Sequence, residues 1–496
     1  MVHEYIHKQG SLLLESDLGG EFPLYLYWSE NRSCLLYSKS ILDLLNDPRV
    51  TKPLKLSNEG ISFLLQSGVV PPPRTIYQNI YIISIGDEAH ISTENNNIQV
   101  RFSHKFPFKN TDRLPINEMQ PNENLILEML ANATISRVNN SKPSFLFHSA
   151  GKDSNAIALA LAEAGWQNKL TLITHKTKGS ADESEISARI AKQLGFKHRV
   201  LFEVDQLETV HYDEISNYFF NTPFPCTDNV TLAYPLYLEQ LPELRGSNII
   251  DGGGNDAYMM IPPSSKELKF LPLSKLTSLV SFLRNSVNSE SLLSPALRAP
   301  AEWCGMAGLS LKDALKIYPQ LVDVYPYWVN ESNVRRKWDW FDFKTDILTT
   351  ITAAELHMRK ARNFANVIDA NLILPFTNQV IAEYFGKMPE EYLFDRKKLK
   401  NKLILRKILK ERIGLDSDAL GKMGFNYDTH TIIIQNWDKI SGEIVECKLW
   451  SQPNVIKVIT RLRVSMNGRN WSSRAAGRMI YRLYLISAWS NRNRYI

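Results

Sequence analysis

The hexapeptide Ser149-Ala150-Gly151-Lys152-Asp153-Ser154 sets small residues, two hydroxyls and a carboxylate at the point where one kind of hydrophobic pattern gives way to another. Ser144-Phe145-Leu146-Phe147-His148 leads in as a strand, and residues 154–164 lead out with apolar side chains at helical spacing, closed by Gly165. A small-residue turn placed there lets backbone N–H groups and hydroxyls close around a phosphate at a helix N-terminus. Asp153 and Ser154 alone are also ordinary helix caps; the complete strand–loop–helix order favours the phosphate. The GxxxxGK[ST] loop occurs nowhere in the chain.

Two further clusters follow later strands. Gly179-Ser180-Ala181-Asp182-Glu183 carries a capping-box spacing in Ser180 and Glu183. It equally allows Asp182 and Glu183 to approach a nucleotide or its Mg²⁺, and both readings stand. In Asp251-Gly252-Gly253-Gly254-Asn255-Asp256, Gly252, Gly254 and Ala257 match GxGxxA, but Pro262 and Pro263 leave no room for the helix that a dinucleotide fold needs. The loop fits better as a wall of an ATP pocket, with Asp256 as a carboxylate for magnesium. His3-Glu4-Tyr5-Ile6-His7 spells HExxH, the zinc-protease pattern, without a clear third ligand or a structured segment before it.

The elements that must position these residues alternate strand and helix between residues 141 and 262. Strands are expected at 145–148, 170–175, 199–204 and 248–251, with helices at 154–164, 182–194 and 207–219. That rhythm predicts a parallel sheet covered on both faces, with ligands at the C-terminal strand ends. Residues 1–115 are β-rich, with strands at 22–28, 34–37, 75–77 and 80–83. Residues 105–121, polar with three prolines, are expected to link the two parts. From Lys266 onward strands nearly vanish and helices are predicted at 348–361, 367–385 and 398–412.

Composition narrows the class. A chain of 496 residues, 44% hydrophobic and 22% charged, suggests two or three folded domains. Net charge is 58 − 52 = +6, too small to argue for nucleic acid. Residues 396–412 hold nine Lys or Arg against Glu411, but their interleaved leucines and isoleucines suggest a solvated helix face. The four cysteines lie far apart with no CxxC pair, which argues against a disulfide framework or a cysteine zinc site. No run approaches a membrane span, and the N-terminus has no apolar leader, so a cytoplasmic protein is expected.

The hexapeptide resembles SGGxDS, the pyrophosphate loop of the ATP pyrophosphatase (PP-loop) family, with Ala150 replacing a glycine. In order, the pieces resemble the synthetase half of glutamine-hydrolysing asparagine synthetase and its relatives, the β-lactam synthetases and lasso-peptide cyclases. The family's Asp-Glu pair and following Ala…Leu-Gly…His match Asp182, Glu183, Ala188, Ala191, Leu194, Gly195 and His198. Its SGxGxDE loop matches residues 251–257, keeping Gly252, Gly254 and Asp256. Pro375-Phe376-Thr377-Asn378 matches Pro-Phe-Leu-Asp in part. Residues 402–406 match a Lys…Leu-Arg helix, and Lys422-Met423-Gly424-Phe425 a Lys-x-Gly-Phe segment.

This resemblance implies an α/β fold: a parallel-sheet PP-loop (HUP-like) synthetase domain at 116–496, with its α/β core at about 141–262 and a helical part at 263–496. A smaller β-rich remnant of an N-terminal nucleophile glutaminase domain would precede it at 1–115. It implies ATP-dependent amide-bond formation through an acyl-adenylate, releasing AMP and pyrophosphate, with ATP and Mg²⁺ as cofactors. The pyrophosphate would sit on Ser149, Ala150, Gly151, Lys152, Asp153 and Ser154, with His148, Thr174, Asp251 and Gly252 on the adenosine side. Asp153 and Asp256 would hold the metal, and Lys422, Asp153 and Lys402 would be catalytic. Departures are Gly253 and Ala257, where acidic residues are usual, and Val2, where the family's nucleophilic cysteine follows the initiator methionine; the first cysteine is Cys34. Glutamine hydrolysis is therefore expected to be absent. The amine would be ammonia, free or from a separate donor protein, or an amine of a small-molecule or peptide carboxylate substrate. No nucleic-acid or membrane partner is expected. The competing readings are a PP-loop tRNA-modifying enzyme, mildly favoured by the basic C-terminal helix and tail, and a non-catalytic ATP-binding relative.

Overall fold

A computed structural model describes residues 1–6, 10–178, 182–269, 278–421, 427–468 and 470–496. The described residues up to His104 form seven strands: β1 His3–Glu4, β2 Leu12–Glu15, β3 Leu24–Trp28, β4 Leu35–Ser38, β5 Ile80–Ile83, β6 Asp87–Glu94 and β7 Asn97–His104. They make two antiparallel sheets, β1-β4-β3-β5 and β2-β6-β7. The period of two along β3 explains how they are held. Leu24 and Leu26 point into a core shared with Leu14, Ala89 and Ile91 of the second sheet. Tyr25 and Tyr27 point the other way, into a large cluster that also contains Phe224, Tyr481 and Trp489. Of the expected strands, residues 75–77 contribute only an isolated bridge, Leu56 to Tyr77.

Five strands build the parallel sheet: β8 Ser144–Phe147, β9 Thr171–Lys176, β10 Lys197–Phe202, β11 Asn248–Ile250 and β12 Asn371–Ile373. Their order is β10-β9-β8-β11-β12, and every neighbouring pair is parallel. The chain starts at the centre, runs outward to β10, then crosses back to place β11 on the other side of β8. The order reverses between β8 and β11, so the segments leaving their C-terminal ends diverge and open a crevice. At the opposite end, buried Asn248 closes the sheet: its amide donates to Asn139 O (2.9 Å) and its Oδ1 accepts from Asn371 Nδ2 (2.9 Å).

Two C-terminal expectations are corrected. Residues 367–385 are not one helix. A helix ends at Val367, Asp369 takes φ +53°, β12 follows, and a new helix begins only at Gln379. Leu374 precedes Pro375, whose ring disfavours helical backbone at the residue before it. The basic helix runs over Leu403–Ile413 and not from residue 398. Leu399 and Lys402 have φ of +53° and +60°, and Lys400–Asn401 pairs with Phe394–Asp395 in a small hairpin. Residues 105–121 pack closely: Phe106 and Phe108 are buried, and Arg113 donates to the carbonyls of Phe385 (2.9 Å) and Tyr258 (2.7 Å). No described helix is long and apolar enough to cross a membrane.

Candidate functional site

The crevice between β8 and β11 holds a cavity of about 350 Å³. One wall is the turn after β8, entering the helix Lys152–Glu163. The other is the glycine loop after β11, entering the short helix Asp256–Met259. Glycine is required where these walls meet. A Cβ on Gly252 would lie 3.0 Å from Asp153 Cβ and 3.1 Å from the Ser154 amide, and Gly254, at φ +111°, would place one 2.3 Å from Thr377 Cγ2.

The turn is held by its own polar groups. Ser154 Oγ accepts from the Ser149 amide (3.2 Å), and Ser149 Oγ accepts from the Gly151 amide (3.0 Å). Buried Asn155 donates to the carbonyls of Ser149 (2.9 Å) and Gly151 (2.6 Å). The N-cap of the following helix is Gly151, which offers no side-chain cap, so the amides of its first turn meet no capping oxygen. Several other helices of the chain are capped by side chains, for example by Ser57, Asn122 and Asn470. The uncapped end therefore points a partial positive charge and unmet donors at the crevice. Glu183 places Oε2 2.9 Å from the Ala150 amide, and burial pushes its carboxyl above the usual range.

His148 is 3% exposed, and burial pulls its imidazole down to about 4. Asn155 uses its NH₂ on the two carbonyls, so its Oδ1 accepts from His148 Nε2 (3.0 Å). His148 Nδ1 is then a bare acceptor, and it is buried without a partner on a residue that lines the cavity. Such a group is open to a donor from water or from a molecule in the cavity. Deeper in the crevice, Thr174 Oγ1 and His198 Nε2 are 2.9 Å apart. Asp251, whose carboxyl burial raises, accepts the Gly253 amide at 2.8 Å.

At the rim, Lys402 Nζ lies 2.6 Å from Asp153 Oδ2 and 3.1 Å from Asp256 Oδ1. Asn255 Nδ2 donates to Asp153 Oδ1 at 2.6 Å. Although burial favours the neutral amine, the two carboxylates raise the Lys402 ammonium well above its ordinary range. Asp153 and Asp256 are thus brought together, as expected of metal carboxylates, with an ammonium between them. Among the described residues no three His, Cys, Asp or Glu side chains converge as a metal site. Two carboxylates suit an ion that completes its shell with phosphate oxygens and water.

Of the sequence-predicted nucleotide residues, His148, Ser149, Gly151, Asp153 and Ser154 line the cavity from the β8 side, and Thr174, Asp251 and Gly252 from the other strand ends. Ala150 is buried behind the turn, and its amide faces Glu183. Lys152 does not line the cavity; burial lowers its ammonium, with Arg406 and Lys402 adding to the effect. Lys422 with residues 423–425, and residues 179–181, lie outside the described residues. So does His7 of HExxH; His3 and Glu4 are exposed on extended β1, and Glu4 pairs with Arg49 at 2.8 Å. The cations of residues 396–412 are largely spent on ion pairs, for example Arg396 with Glu390 and Asp339, and Lys407 with Glu123.

Sequence reasoning missed the wall facing the turn. It comes from the wide, π-helical stretch Leu348–Met358 and the helix Arg359–Val367, which bring Ala353, His357, Met358 and Lys360 to the cavity. Lys360 Nζ pairs with Asp228 Oδ1 at 3.1 Å, and His357 Nε2 lies 3.8 Å from Asp228 Oδ2. Against the pull of burial, these two neighbours hold Asp228 below the usual carboxylate range. A His and a Lys three residues apart in a helical run were a visible signal, but nothing local says that they face a loop two hundred residues away. No protein-family model matches the chain, and no curated protein matches it.

Proposed function

We propose that this chain activates a carboxylate with ATP and joins it to an amine, at a PP-loop site of the asparagine-synthetase kind. The observation that carries the reading is the uncapped helix end at Gly151, opposite a glycine loop at the reversal point of a parallel sheet, with Asp153, Asp256 and Lys402 at its rim. The unpaired Nδ1 of His148 supports a nucleotide on the inner side, since ribose hydroxyls and the adenine amine are donors.

The β- and γ-phosphates of ATP would accept the amides of the first helical turn and the hydroxyls of Ser149 and Ser154. A substrate carboxylate oxygen then attacks the α-phosphorus, the bond to the β-phosphate oxygen breaks, and pyrophosphate leaves. The amine attacks the acyl carbonyl, loses a proton, and AMP departs. Asp153 and Asp256 would hold Mg²⁺, which would supply charge neutralisation between the phosphates and the incoming carboxylate. Lys402 fixes both carboxylates in place. Lys360 and His357, on the facing wall, offer N–H donors to the carboxylate substrate. By the resemblance, Lys422 would stabilise the charge that develops in the transition state.

All four thiols are raised by burial, Cys226 to about 11, which supports a reading without a thiolate nucleophile for glutamine hydrolysis in this chain. The ion-paired basic run gives the tRNA-modifying alternative no support. In this reading residues 1–115 are a remnant glutaminase-type domain of a cytoplasmic enzyme. The test is carboxylate-dependent exchange of labelled pyrophosphate into ATP. Exchange with one of a panel of carboxylates is expected, and neither exchange nor ATP binding with any of them would refute the proposal.

A further inference from the structure

Arg474, Arg478 and Arg482 recur every four residues along the C-terminal helix Trp471–Arg492, so they form one stripe on one face. Arg474 is exposed; Arg478 and Arg482 are half-buried. Like charges at this spacing repel, and a helix face that keeps three of them normally answers with carboxylates. None is supplied among the described residues: no Asp or Glu there forms an ion pair with Arg474, Arg478, Arg482 or the neighbouring Arg298, and the nearby acids pair with Arg284, Arg461 and Arg492 instead. The residues outside the description contain no Asp or Glu, so no acidic partner is hidden there.

The inner end of the stripe is the least satisfied. Arg482 Nε and Nη1 are sealed from solvent and have no hydrogen-bond partner. The guanidinium is seated where Gly68 leaves room: a Cβ there would lie 2.7 Å from Arg482 Nη1. Burial first, and then the charges of Arg478 and Arg298, pull Arg482 down to about 10. Arg298 spends one amine on the Met306 carbonyl at 2.9 Å. The acidic groups that face the cluster are few. Glu302 is buried, accepts the Ala299 amide and is raised by burial, and Asp228 is already taken by Lys360. The same Gly68 Cβ position lies 2.8 Å from the carbonyl of Ala307, next to the Met306 that Arg298 holds, so a helix and a loop bring the two guanidiniums to one place; forked donors with so few acceptors suit an oxyanion.

We propose that Arg298, Arg478 and Arg482 form a binding site for a phosphate-type oxyanion, separate from the turn after β8. The site lies behind the cavity wall: the Gly68 carbonyl accepts from Thr227, whose neighbour Asp228 holds Lys360 at the cavity. An anion bound there relieves the repulsion within the stripe and leaves Asp228 to Lys360.

The experiment is thermal unfolding of the full chain in millimolar inorganic phosphate, against chloride at matched ionic strength. Phosphate is expected to raise the wild-type Tm by about 2 °C. In Arg478→Gln the increment should disappear, while Tm in chloride stays equal to wild type or rises, because a repulsive charge is gone. Ser154→Ala, in the turn after β8, should keep the increment. An increment that survives Arg478→Gln and Arg298→Gln overturns the proposal. So does one lost in Ser154→Ala and kept in Arg478→Gln, which would place the phosphate on the turn and leave the proposed adenylating function standing.

Discussion

Replacing Lys402 by Gln tests the rim of the site most directly. In the wild type one ammonium, 8% exposed, neutralises two carboxylates at 2.6 and 3.1 Å. Removing one partner of a buried ion pair costs about 3–5 kcal/mol, because it strands the opposite charge. Here two charges are stranded and repel each other, but the aspartates are 28% and 32% exposed, so water screens part of the penalty. A loss of about 2 kcal/mol at pH 7 is expected. The lysine's folded value is raised, so its contribution is fully present below the unfolded value of about 10.4 and is lost only at higher pH. Urea unfolding followed by tryptophan fluorescence reads the difference. The double variant Lys402→Gln/Asp256→Asn removes the repulsion as well and should recover about half of the loss. A Lys402→Gln protein within about 0.5 kcal/mol of wild type would refute the reasoning, as would a double variant no more stable than the sum of the singles.

Three other outcomes follow from the geometry. Gly254→Ala forces a left-handed backbone and a Cβ into Thr377, and should cost about 2 kcal/mol or more in thermal or urea unfolding; an unchanged Tm would count against the close approach of the two segments. His148 is held neutral with its folded value down near 4, so the unfolded chain takes up the proton first and stability falls as pH drops from about 6.5 to 4. His148→Gln should flatten that acid limb, and an identical slope would show that the imidazole is not buried as described. His104 has the opposite sign. Against burial, hydrogen bonds to Asp346 and Asp87, both 2.8 Å, raise it to about 10. Its contribution is full below about 6.5 and drains away as pH rises towards 10. His104→Gln should therefore lose stability at pH 6 and converge on wild type in alkali, as measured by unfolding across that range.

Local pattern was enough for the turn after β8. A four-residue apolar strand, a small-residue turn and an alanine-rich helix each have a short-range cause, and they appear where the sequence predicts them. The first four strands of the parallel sheet were legible for the same reason. The fifth was not: Asn371–Ile373 is three residues long and adjoins an apolar helical stretch, so its period is too short to separate from a helix. Only pairing with β11 makes it a strand.

What residues 149–154 determined alone is a small-residue turn that opens a helix without a side-chain cap. What lies opposite was decided by tertiary structure. The sheet order sets Gly252 against Asp153, a left-handed turn at Lys402 returns its ammonium to carboxylates at the starts of two other helices, and a π-helical stretch and the helix after it supply His357 and Lys360. The physical reason is range. Helix caps and strand alternation depend on neighbours a few residues away, whereas a charge paired across 249 residues depends on how whole elements pack, and no local period records that.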